Sequence, residues 1–95
     1  MNEDKILTEL KEYLHVTTSD DNDNLETMME IAHTTLISWC GQFELDNKVG
    51  KGLVFDFVRY MRAGGSNYFY EHFKTQVLSF GMSLMTIEDE VVDNG

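Results

Sequence analysis

The chain has 95 residues and a mass of 11.0 kDa, room for one hydrophobic core, and at 42% hydrophobic content it is too apolar for a disordered polypeptide. Seventeen acidic against seven basic residues give a net charge of −10, which disfavours non-specific attraction to nucleic acid phosphates or to an anionic membrane. A single cysteine, Cys40, excludes an internal disulfide framework and a multi-thiolate metal site. Residues 1 to 5 are acidic and polar where a signal peptide is basic and then apolar, and no apolar run approaches the ~18 residues of a membrane span. A soluble protein, intracellular when made, is expected.

Proline is absent and apolar residues recur at threes and fours, which predicts helices throughout. Ile6, Leu7, Leu10, Tyr13 and Leu14 mark a first short helix ending near His15. The polar run over 18 to 24 reads as a loop, and Asp23 with Glu26 stands at capping-box spacing for a second helix. In that helix Leu25, Met28, Met29, Ala32, Leu36, Trp39 and Cys40 fall within one arc, flanked by Ile31 and Ile37, and Gly41 suits a left-handed cap. Residues 42 to 47 connect to a third helix with an apolar stripe of Val49, Leu53, Val54, Phe57, Val58, Tyr60 and Met61. Gly64 and Gly65 stop it. A last helix presents Phe69, Phe73, Val77, Phe80 and Leu84 on one face. The expected fold is all-α, a small bundle of about four helices with short connections. One domain over 1 to 87 precedes an acidic, disordered tail over 88 to 95.

Signals for chemistry are weak. The acidic loop lacks the glycine and the ligand register of a calcium-binding EF-hand, since Leu25 stands where an oxygen ligand belongs. Around Gly50, Lys51 and Gly52 a phosphate loop would need Ser or Thr at 52 and glycine at 45, where Leu45 stands. His33 and Cys40, seven residues apart, have no orienting partner or further ligands at a telling spacing. No catalytic, cofactor or metal site is expected, and the chain reads as a protein without enzymatic activity.

The distribution of charge is more informative. Residues 1 to 41 carry nine acids and two bases, residues 42 to 86 carry four acids and five bases, and residues 87 to 95 carry four acids. On the third helix Lys48, Lys51, Arg59 and Arg62 project into a sector of about 80° opposite the apolar stripe, with Phe55 among them. Such a face has three uses: solvation, contact with phosphate, or pairing with acidic surface on another copy of the chain. Four cations on so acidic a protein make a poor phosphate trap, so pairing between copies is the stronger of the two binding readings. Leu78, Met82 and Met85 form a second apolar stripe on the last helix, away from its core face, and methionines suit an adaptable contact. Lys48, Lys51, Phe55, Arg59, Arg62, Leu78, Met82 and Met85 are therefore the candidate interface residues.

The run from Ile6 to Leu14, the acidic loop, and the helix opening at Asp23, Asn24, Leu25, Glu26 and ending at Ser38, Trp39, Cys40, Gly41 resemble the head-to-tail connector proteins of tailed bacteriophages. Phe57, Val58, Arg59, Tyr60, Met61, Arg62, then Tyr70, Glu71, His72, Phe73, and Gln76, Val77, Leu78, Ser79, Phe80 are similar to the second half of small members from phages of Gram-positive hosts. The resemblance covers most of residues 4 to 85. It implies a helical subunit that forms a ring of about twelve copies beneath the portal protein and joins it to a stopper or other neck or tail-completion protein. Double-stranded DNA would pass through the channel as cargo. No cofactor, membrane contact or catalysis is implied, and the location would be the virion neck, with the host cytoplasm during assembly. A reading from a different class is a small acidic phage protein that inhibits a host nucleic-acid-binding protein by presenting DNA-like charge.

Overall fold

The computed structural model describes residues 3 to 16 and 22 to 94, with side chains over 5 to 16 and 22 to 85. Four helices make up the described chain: α1 (Glu3–Leu14), α2 (Asn22–Cys40), α3 (Lys48–Arg62) and α4 (Ser66–Asn94). There is no strand among the described residues, and the all-α expectation holds. α2, α3 and α4 pack against one another, while α1 lies across α2 and α3 without reaching α4.

The core follows the arcs read from the sequence. Leu25, Met29, Ala32, Leu36 and Cys40 are buried on α2, Leu53, Val54, Phe57 and Val58 on α3, and Phe69, Val77 and Phe80 on α4. α1 adds Leu7 and Leu10. Each large side chain fully removed from water contributes about 1.5 to 3 kcal/mol, which is what holds helices too short to persist alone. A stack of aromatic rings ties three helices together: Phe57 and Phe69 lie 4.3 Å apart and nearly parallel, Phe69 and Phe73 4.6 Å, and Trp39 stacks on Phe57 at 5.7 Å.

Helix ends show how local chemistry sets the turns. Asn47 caps α3, its side-chain oxygen accepting the Gly50 N–H at 3.0 Å. α3 ends in a Schellman motif, with Gly65 N–H donating to Tyr60 O at 2.8 Å, Gly64 N–H to Met61 O at 3.1 Å, and Gly64 at φ 79°. α1 closes the same way, Val16 N–H to Lys11 O at 2.9 Å and His15 N–H to Glu12 O at 3.2 Å, yet the left-handed residue is His15, at φ 62°. Gly41, at φ 113°, ends α2 as expected.

Two details go beyond the sequence reading. α2 begins at Asn22, so Asp23 sits in its first turn rather than capping it, and residues 17 to 21 lie outside the described residues. Gly50 is buried inside α3, where its missing side chain lets Phe43 and Phe80 close over the backbone. α4 is Ser66–Asn94, and the side chains of 86 to 95, which include those of the expected acidic tail over 88 to 95, lie outside the described residues.

Candidate functional site

The cationic side of α3 is the first place to look, and α1 covers much of it. Lys51 Nζ donates to Glu9 Oε1 at 2.6 Å, and that bond holds the Glu9 carboxyl below the usual glutamate range. Arg59 Nε donates to the Tyr13 hydroxyl at 3.2 Å, and the same hydroxyl donates to Asp56 Oδ1. Arg59 Nη2 also lies 3.5 Å from Asp56 Oδ1, and its guanidinium stands over the Tyr60 ring. Partial burial, then the bond to Asp56, pushes the Tyr13 hydroxyl above the ordinary tyrosine range.

Phe55, expected on an outward face among these cations, is buried at 7% exposure. The cause is α1, whose Tyr13 ring meets Phe55 at 5.8 Å. α3 is therefore apolar on two sides, towards α2 and α4 and again towards α1, so Phe55 leaves the set of interface candidates. Lys51 and Arg59 each have partners within the chain. Lys48 and Arg62 are exposed.

The second stripe stands out on α4. Leu78, Met82 and Met85 are 48%, 67% and 60% exposed, on a helix fixed in place by Val77 and Phe80 on its other side. Beside Leu78 an open groove of about 560 Å³ runs between α2 and α4, lined by Ser38, Trp39, Tyr70, Val77 and Leu78. Trp39 and Tyr70 meet edge to face at 4.9 Å, and both stay more than a third exposed. Sequence reasoning places Trp39 in the core arc and names Tyr70 only within the family resemblance. The only signal for them was position: Trp39 stands in the last turn of α2, where the inward arc has drifted to the edge of the interface. Of the two isoleucines flanking that arc, Ile31 is exposed and Ile37 packs against the core.

The remaining chemistry-bearing side chains have structural bonds. His33 Nε2 donates to Phe43 O at 2.9 Å, while Cys40 Sγ donates to Val77 O at 3.4 Å, so the two are not assembled into one site. Burial raises the Cys40 thiol above its usual range and away from reactivity. His72 Nδ1 lies 2.9 Å from the Tyr60 hydroxyl. Among the described residues no three His, Cys, Asp or Glu side chains are grouped to hold a metal ion, and no helix is long and apolar enough to cross a membrane. The acidic loop weighed as a cation site lies largely in residues 17 to 21, outside the described residues. Compared with known proteins, the chain matches no family model, no curated protein and no solved structure.

Proposed function

We propose that this protein is a structural adaptor of the phage neck, a ring-forming subunit beneath the portal that joins the DNA-filled head to the next neck or tail component and works by docking rather than by catalysis. The observation that supports this reading is the exposed band of Leu78, Met82 and Met85 with Trp39 and Tyr70 beside it, a rigid apolar surface on a small subunit. Rigidity matters because a docking face that is already ordered loses little entropy on binding. Tyr-, Trp- and Met-rich patches are also where binding energy concentrates.

The internal bonds of Lys51 and Arg59 change how copies would meet. A ring built on the whole cationic face of α3 would have to displace α1, so within this proposal α4 is the main docking element. Excess acid elsewhere keeps passing DNA from sticking. Sedimentation of the purified protein with the portal of the same phage tests the proposal. A co-sedimenting complex is expected, weakened by at least about tenfold by Met82→Glu. Absence of any complex across low and moderate salt overturns it.

A further inference from the structure

We propose that Met82 and Met85 form a surface redox site: in the unassembled chain hydrogen peroxide oxidises both to methionine sulfoxide, which turns the exposed stripe of α4 from apolar to polar and leaves the fold in place. The distribution of sulfur carries the inference. Met82 and Met85 are 67% and 60% exposed, three residues apart and so on one side of α4. Met29 is buried at 5% exposure, and Met28 and Met61 pack against the core. The other sulfur among the described residues is Cys40, and a thiol is the usual first target of a peroxide. Here α4 closes over it: a Cβ on Gly81 would lie 3.3 Å from Cys40 Cα, and Cys40 Sγ donates to Val77 O at 3.4 Å. Burial also keeps this thiol protonated, whereas the thiolate is the reactive form.

In the reaction the thioether sulfur attacks one peroxide oxygen with a lone pair. The S–O bond forms as the O–O bond breaks, and the departing hydroxide takes the proton of the transferred hydroxyl and leaves as water. Sulfur is oxidised by two electrons and the peroxide is reduced by two. Each sulfoxide sets a strong hydrogen-bond acceptor on a stripe whose third member, Leu78, stays apolar at 48% exposure. The opposite side of α4 holds Phe69, Val77 and Phe80 in the core, so the change in polarity removes no core contact. Exposure also makes the change reversible, since methionine sulfoxide reductases, one for each sulfoxide epimer, return the thioether at the expense of a thiol reductant and release the oxygen as water. The site goes beyond the neck reading and does not depend on it.

Brief treatment of the full chain with dilute hydrogen peroxide tests the site, read by peptide mass spectrometry, circular dichroism and hydrophobic-interaction chromatography. Met82 and Met85 are expected to gain one oxygen each at least about tenfold faster than Met29. The oxidised chain should elute earlier than the native one, with its thermal unfolding midpoint unchanged. Sulfoxide reductases for both epimers, supplied with dithiothreitol, should restore the native elution. The double variant Met82→Leu with Met85→Leu conserves volume and apolar character, so it should fold like the native chain and keep its elution position after the same treatment. Oxidation of Met28, Met29 or Met61 as fast as that of the α4 pair, oxidation of Cys40 ahead of them, or loss of helix on the first oxygen uptake overturns the inference. An elution position that ignores oxidation at both sites, or one that still shifts in the double variant, overturns it as well.

Discussion

Two residues carry conformations or contacts that their neighbours force on them. His15 occupies a left-handed position that in the equivalent turn after α3 belongs to Gly64. A side chain there costs about 1 kcal/mol, so His15→Gly is expected to raise the midpoint of thermal unfolding by several degrees, measured by calorimetry. Gly50 presents the opposite case. A Cβ at this position would run into the Phe43 ring and lie 3.1 Å from Phe80 Cζ. Gly50→Ala improves helix propensity by about 1 kcal/mol, but overpacking costs about 1 to 3 kcal/mol, so net destabilisation is expected in a denaturant titration. Neither site was legible in the sequence. A glycine within a helix and a histidine after one look ordinary until the ring from the 42 to 47 connection and the path of the next turn are placed.

Among the helices, α1 adds to its buried Leu7 and Leu10 a polar edge tied down by Lys51 with Glu9 and by the set of Tyr13, Asp56 and Arg59. Two titrations bound its docking. Because Glu9 has a lowered carboxyl pKa, its contribution is present above the ordinary glutamate range and is lost as pH falls through the lowered value. Because Tyr13 is raised, its contribution is present below the ordinary tyrosine range and is lost as pH climbs through the raised value. Hydrogen exchange is expected to show α1 amides loosening first at both extremes, and also at neutral pH in Arg59→Glu, which sets a second carboxylate beside Asp56 and the Tyr13 hydroxyl. Equal protection of α1 and α3 in that variant would contradict this account. Periodicity made the inward arcs of α2 and α4 readable, because each meets its neighbours mainly on one side. It misread Phe55 because α3 is packed on two sides, and a single stripe cannot announce a second helix whose Tyr13 arrives from 42 residues away.

Across the whole molecule, α4 is the longest element at 29 residues, about 43 Å of helix against about 28 Å for α2 and 22 Å for α3. Every buried hydrophobic residue described lies between Leu7 and Phe80. Removing 88 to 95 takes away none of these residues, and calorimetry is expected to place the unfolding midpoint of the truncated protein within a few degrees of the intact chain's. The exposed stripe of Leu78, Met82 and Met85 was legible because it lies at helical spacing on a face away from the core. Trp39 and Tyr70 were not, since bulk alone argues for burial and only the crossing of α2 over α4 leaves them at a rim.

The position of α1 has a consequence for biosynthesis. Its apolar side is met by α2 and α3, so during translation Leu7 and Leu10 emerge well before Val54 and Phe55 do. At roughly 5 to 20 residues per second the interval from residue 15 to residue 62 is about 2 to 10 s. For that time the nascent segment exposes a sticky flank to chaperones, and the ribosome's release of α3 is what ends the wait.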